Sequence, residues 1–248
     1  MFATITHKGI TYKVDLSRPF DISIPINDHS ARAWYVDPVK IEPVRSGDWV
    51  GEVKSGGSVN FRNIFFNPHG HGTHTECVGH ITPECENVNA LIRNFFFIAE
   101  LITVLPEHRE NGDFVITRRQ LEMLLEDKKP EAVVLRTVAN PSSKLTHNWS
   151  NTNPPYLEEA AGKFLSELGV DHLLIDLPSV DREVDEGKLL AHRAFWEYPH
   201  NTQKQRTITE FIYVPNEVFD GPYLLNLQFA PFDNDASPSR PVLYRILS

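Results

Sequence analysis

His69-Gly70-His71-Gly72-Thr73-His74-Thr75-Glu76-Cys77-Val78-Gly79-His80 is the most chemically loaded stretch of the chain. Four of the eleven histidines fall in it, with a carboxylate between the last two. Imidazole and carboxylate are ordinary ligands of zinc and similar divalent ions. Glycines at 70, 72 and 79 let the backbone turn tightly enough for several side chains to converge on one point. In a strand, His74, Glu76 and His80 would share a face, because side chains alternate with period two. The pattern reads as a metal site with a histidine beside it for proton transfer. A polar, histidine-rich surface loop is the plain alternative, but four imidazoles and a glutamate among three glycines exceed what a solvated loop needs. A closed structural zinc site is disfavoured, because such sites are rich in thiolate and the chain offers only Cys77 and Cys85. Cys77 could serve as a nucleophile, yet no base with an orienting partner is dedicated to it.

Upstream, residues 48–66 read as a hairpin turning at Ser55-Gly56-Gly57-Ser58, whose second strand would run straight into the motif and hold it on a rigid sheet. Before that, Ile5, Ile10, Tyr12 and Val14 alternate around His7-Lys8-Gly9, predicting a hairpin over 3–16. A proline-punctuated segment, 19–43, carries Trp34 and Tyr35, expected to cap the core in preference to walling a pocket.

Downstream, Phe95 to Leu105 is a nearly continuous apolar run, predicting a buried strand. Thr117 with Gln120 is a capping-box pattern opening a helix to about Asp127. Ala132 to Val138 predicts another buried strand. A second helix is expected from Pro154 to Leu168, with proline in its first turn and Gly169 at its stop. Strands are expected over 170–177, 207–214, 223–229 and 242–247, with a charged loop carrying His192 between the first two. No repeat, low-complexity tract or linker interrupts the pattern, and one mixed α/β domain is the economical architecture.

At 248 residues the chain is long enough for a substantial core, and 41% apolar with 23% charged residues is ordinary for a globular protein. A net charge of −9 argues against a general nucleic-acid binder. The first residues lack the basic-then-apolar layout of a signal peptide, and no apolar run approaches the roughly 20 residues that span a bilayer. Two cysteines do not make a disulfide framework, so a cytoplasmic setting and no membrane partner are expected.

These residues resemble the cyclase-like metal-dependent hydrolases, the family that includes bacterial kynurenine formamidase and isatin hydrolase. Its signature is His-x-Gly-Thr-His-x-Asp-x-Pro-x-His, and Gly72-Thr73-His74 and His80 stand in register with it. Asp15-Leu16-Ser17, Arg136-Thr137 and the segment from Asp176 through Ser179-Val180-Asp181 resemble further family segments in the same order, followed by His192 and Glu210. The departures are local. The family's first histidine falls on Gly70, flanked by His69 and His71, and His69 is preferred because the extra residue can bulge at the glycines. Glu76 replaces aspartate and Val78 replaces proline.

The resemblance implies a single mixed-sheet α/β domain of the swivelling β/β/α type over residues 1–248. It implies His69, His74 and Glu76 on one divalent ion, zinc foremost and manganese next. One ion or two are compatible with the resemblance; a second would be held by His192 and Glu210, with Glu76 bridging and Asp181 supporting from behind. The implied reaction is hydrolysis of a carbon–nitrogen bond in an amide, foremost an aryl formamide. Water activated by the ion would attack, with His80 carrying the proton, since imidazole exchanges protons most readily near neutrality. A cyclic-amide or ester hydrolase, or a cyclase, is the alternative within the family. A metal-binding protein without turnover, or a purely structural metal site, is the alternative outside it. A small-molecule substrate and a homodimer or larger homo-oligomer complete the implied picture.

Overall fold

The computed structural model describes residues 1–84 and 86–247, so Cys85 lies outside the described residues. Nine strands build the main sheet: β1 (Phe2–His7), β2 (Ile10–Asp21), β3 (His74–Cys77), β4 (Phe96–Val104), β5 (Ala132–Thr137), β6 (His172–Ile175), β7 (Thr207–Glu210), β8 (Gly221–Phe229) and β9 (Ala236–Leu247). Their spatial order is β1-β2-β9-β8-β4-β5-β6-β7-β3. Strands β4, β5, β6 and β7 run parallel to one another. The remaining neighbours are antiparallel. The start of β9 also pairs with β3, Ala236 opposite Glu76 and Pro238 opposite His74, so the sheet curls round and meets itself at the histidine motif.

The first hairpin forms as the alternation predicts. Lys8 (φ 49°) and Gly9 (φ 80°) make its two-residue turn, with both backbones in the left-handed region that such turns require. β2 then continues through Pro19, beyond the predicted hairpin. Pairing with β1 ends at Phe2 opposite Asp15, so Pro19 faces no strand on that side. A missing N–H is harmless there.

The second predicted hairpin is corrected. The chain turns at Gly56 (φ 92°), but the following strand, Arg62–Phe65, pairs with Lys40–Pro43. This ribbon stands outside the main sheet, and Ile64 and Phe65 are exposed on it. Its apolar pattern looks like burial from sequence, yet the ribbon does not support the motif. The motif supports itself by entering the sheet as β3.

Among the described residues four helices follow: α1 (Val88–Leu91), α2 (Arg118–Leu125), α3 (Glu159–Leu168) and α4 (Leu190–Trp196). α2 carries the predicted capping box, Thr117 Oγ1 accepting from Gln120 N while Gln120 Oε1 accepts from Thr117 N. α3 ends at Gly169 (φ 83°) as predicted but starts five residues later than its proline suggested. Tyr156 and Leu157 are spent on a short parallel pairing with Val115 and Ile116, and ladder hydrogen bonds there outweigh an early helix start. α4 replaces the expected loop around His192. No local cap announces it, because Leu189 stands at its N-cap with φ 48° and makes no side-chain cap.

Strand alternation divides the core. Val133, Leu135, Leu173 and Ile175 face Leu121, Leu165, Phe195 and Trp196 of the helices. Ala132, Val134 and Leu174 face the other way, toward Ile22, Leu101, Leu225 and Leu243. The central parallel strands are thus covered on both faces, which explains their unbroken apolar sequences.

Candidate metal centre

β3 places His74 and Glu76 on one face and Cys77 on the other, and all its residues are buried. Its neighbours fix the register: Glu210 of β7 lies opposite His74, and Ile208 opposite Glu76. Thr73 ties the approach to β3 into place. Its hydroxyl accepts from Ile24 N at 2.7 Å and donates to the carbonyl of Phe211. His80 is not on the strand, contrary to the shared-face expectation. It closes a 3-10 turn, Val78–His80, directly after β3. That turn packs against the chain at Glu86 so closely that a Cβ on Gly79 would lie 2.0 Å from Glu86 O. Only glycine fits, and the turn returns His80 to the same cluster, Nδ1 3.9 Å from Glu76 Oε2.

The other sequence-singled residues arrive from afar. His69 puts Nδ1 3.0 Å from Glu76 Oε2. His192, on α4, puts Nε2 3.0 Å from Glu76 Oε1. Glu210 places Oε2 3.4 Å from His74 Nε2 and Oε1 3.8 Å from His192 Nε2, and Oε1 also accepts from Val180 N. His71 stays outside: its Nδ1 accepts from Asn67 N and its Nε2 donates to Asp37 O. Among the described residues, three groups have ligand atoms within 4.8 Å of one another: His69, His74 and Glu76; Glu76, His80 and His192; and His69, His80 and Asp235.

Asp235 was not singled out in the sequence. It sits just before β9, and Oδ2 lies 2.7 Å from His69 Nε2 and 3.5 Å from His80 Nδ1. An aspartate in Asp233-Asn234-Asp235 reads as turn chemistry, and only the β9–β3 pairing carries it to the motif.

Carboxylates here are held charged against burial. Burial pushes the Glu76 carboxyl up, but His80, His192 and His69 around it outweigh this and hold it well below the usual range. Burial likewise opposes charge on His69, yet Asp235 and Glu76 hold its imidazole up at about 10. His192 is held well above its ordinary value by Asp181 and Glu76, again against burial. These imidazoles supply the positive charge that the buried carboxylates around them require. Cys77 lies apart from this chemistry: burial pushes its thiol up to about 12, and Sγ donates to Glu86 O.

Two observations test whether a divalent ion fits. His74 Nε2 and Glu76 Oε2 are buried without a hydrogen-bond partner. The contact between His69 Nδ1 and Glu76 Oε2 is within ion-pair range, but no N–H is aligned on that oxygen. Such orphans are rare, and the cost of leaving them so is relieved by a ligand. The second observation is tautomeric. His74 Nδ1 faces the Gly72 carbonyl at 3.2 Å, which can only accept, so a proton resides there and Nε2 is the nitrogen turned to the cluster. His192 Nδ1 lies 2.6 Å from Asp181 Oδ2, turning its Nε2 the same way. Outward nitrogens held in this manner are typical of metal-binding histidines. The residues fit a divalent ion.

A cavity of about 330 Å³ opens over the cluster, lined by Trp34, Val36, His69, His80, Arg182 and His192 among others. Trp34 thus walls the cavity as well as packing on the core, so both of its readings hold. Tyr35 is exposed, its hydroxyl on Glu183. Among the described residues, no helix is long and apolar enough to cross a membrane.

Fold and site together define a mixed α/β protein with a buried histidine–carboxylate cluster beside a cavity that His69, His80, His192 and Glu210 line. Residues 14–182 match the family model "Putative cyclase". The kynurenine formamidase of Bacillus thuringiensis (strain Al Hakam) is 31% identical over 228 residues, covering 90% of this chain and 95% of that one. The chain belongs to the cyclase family. Among solved structures, "The Structure Of Potential Metal-Dependent Hydrolase With Cyclase Activity" superposes with a TM-score of 0.65 at 16% identity, covering 92% of this chain and 97% of that one. Isatin hydrolase A from Labrenzia aggregata, bound to benzyl benzoate, does so with a TM-score of 0.65 at 15% identity, covering 92% and 93%. These likenesses agree with the fold and the family resemblance read from the sequence.

Proposed function

We propose that the chain is a metal-dependent hydrolase cleaving the carbon–nitrogen bond of a small amide, foremost an aryl formamide. The observation that carries this reading is the pair of orphaned buried atoms, His74 Nε2 and Glu76 Oε2, held against His69, His192 and Glu210, which line a cavity together with Trp34. The kynurenine formamidases at about 30% identity support the substrate class.

His69, His74 and Glu76 would hold one ion, and His192 and Glu210 would hold a second with Glu76 between them. Zinc suits this donor set first and manganese next. Such an ion supplies Lewis-acid chemistry, making water a nucleophile near neutral pH and polarising a carbonyl. The chain's own residues do the rest. Trp34 offers a flat apolar wall for an aromatic ring. His80 is about a third exposed at the cavity, with Nδ1 turned toward Asp235 and Glu76, which leaves Nε2 to exchange a proton with the reacting groups. It takes a proton as water attacks the carbonyl carbon and returns one to the departing amine nitrogen.

Metal-reconstituted protein assayed on N-formylkynurenine, isatin and a simple aryl ester tests the reading. Turnover of the formamide above the other two is expected. The structural likeness to isatin hydrolase supports a second reading, cyclic-amide hydrolysis, which predominant isatin turnover would favour. Full metal occupancy with no turnover on the panel would overturn both.

A further inference from the structure

Three histidines at the cluster each have one ring nitrogen anchored, each by a different acceptor. His74 uses the Gly72 carbonyl and His192 uses Asp181, both through Nδ1. His69 is anchored through the opposite nitrogen: Nε2 lies 2.7 Å from Asp235 Oδ2. We infer that Asp235 is a positioning residue that holds the His69 proton on Nε2, so that His69 meets the ion through Nδ1 while His74 and His192 present Nε2. This rests on the metal site proposed above.

The geometry supports this assignment on two counts. First, His69 Nδ1 is the atom directed at Glu76 Oε2, at 3.0 Å, and that oxygen is one of the two orphans. Both ring nitrogens face a carboxylate oxygen, but only the Nε2 contact is a hydrogen bond and keeps a proton there, while Nδ1 faces the orphaned oxygen, where an ion would complete both. Second, Asp235 is rigidly placed. Its carbonyl accepts from Cys77 N at 3.0 Å, and the next residue, Ala236, is registered opposite Glu76. The acceptor is thereby locked to the strand that carries the ligands. The His69 and His80 rings stack at 4.3 Å between centroids, so fixing His69 also fixes the face against which His80 rests.

The consequence concerns the shifted motif. His69 lies one residue earlier than the family spacing places its first histidine. Binding through Nδ1 shortens the reach from Cα to the donor atom relative to Nε2. A carboxylate behind Nε2 is what makes that choice of nitrogen stable.

The test uses the full chain, zinc and the variants Asp235→Asn and Asp235→Ala. Zinc affinity is read by competition with a chelator, and 15N NMR of the zinc-loaded protein reads which nitrogen of His69 carries the proton. Asn keeps the acceptor and the shape, and the anchoring carbonyl of residue 235 survives either change, so thermal unfolding should stay near wild type. Asp235→Ala should weaken zinc 10–100-fold, the usual cost of losing such a partner, and the Nε2–H signature of His69 should be lost. Asp235→Asn should restore most of both. Wild-type zinc binding with unchanged affinity and unchanged His69 tautomer in the alanine variant overturns the inference alone. Zinc bound to His69 through Nε2 in the wild type does the same, as does X-ray absorption showing Asp235 itself as a ligand. A wild-type chain that takes up no zinc overturns this inference together with the proposed function.

Discussion

His192 Nε2 lies 3.0 Å from Glu76 Oε1, joining α4 to β3 across 116 positions of sequence. Behind it, Asp181 accepts from the other ring nitrogen at 2.6 Å and from the backbone N–H groups of Ala191 and His192. One carboxylate thus starts the helix and aims the imidazole, so the helix and the ligand cannot be separated.

Asp181→Asn should damage both. A neutral amide has one acceptor atom for three donors, so about 1–2 kcal/mol of stability is expected to be lost along with charge-assisted bonding. Affinity for metal should fall about 10–100-fold. Thermal unfolding and chelator competition check the two effects, and a variant that weakens neither would contradict this role.

The two motif histidines should separate in function. His74→Ala removes the buried donor Nε2 and should yield purified protein without stoichiometric metal. His80→Ala should keep metal yet lose about 10²–10⁴-fold in turnover. Elemental analysis alongside kcat decides. Because His80 Nδ1 also falls within ligand range of Glu76 and His192, metal loss in His80→Ala would make it a ligand and end its assignment as proton carrier.

Thr73→Val keeps volume but strips the hydroxyl that bonds Ile24 N and Phe211 O. Both backbone groups would be left unpaired in the interior, at about 1–3 kcal/mol each. Denaturant unfolding should show a loss of about 2–6 kcal/mol with an unchanged m-value. A loss under half a kcal/mol would mean that water replaces the hydroxyl.

His172 predicts a pH dependence away from the site. It is buried on β6 with Nδ1 2.8 Å from Thr207 Oγ1, and burial pulls its imidazole down to about 4, with Glu131 opposing weakly. In the unfolded chain it titrates near 6.5, so below that pH the unfolded state binds a proton that the folded state refuses. Stability is therefore lost as pH falls from about 6.5 to about 4, by up to about 3 kcal/mol from this group. Urea midpoints over that range for wild type and His172→Asn should converge as pH falls. Parallel curves would refute it.

The resemblance and the mixed α/β frame were legible because they rest on local information. Apolar runs at 95–105 and 132–138 are buried on both faces, and the capping box at Thr117 needs only its own helix. The ribbon at Lys40–Pro43 and Arg62–Phe65 misled, since alternation in sequence records where apolar residues lie and not what covers them. The helix around His192 was invisible because its cap, Asp181, lies ten residues upstream of Ala191.

By itself, the sequence determined which chemistry is present: imidazoles and a carboxylate spaced so that His74 and Glu76 must share one face of a strand. Only the tertiary structure decided which atoms meet. It turned His69 into the cluster and gave His71 to the Asp37 carbonyl, bent His80 back through a turn that only glycine permits, and brought Glu210 and Asp235 from the far end of the chain. The physical reason is that ligand type is a property of a residue, whereas ring orientation and tautomer are set by hydrogen-bond partners that strand pairing delivers from remote segments.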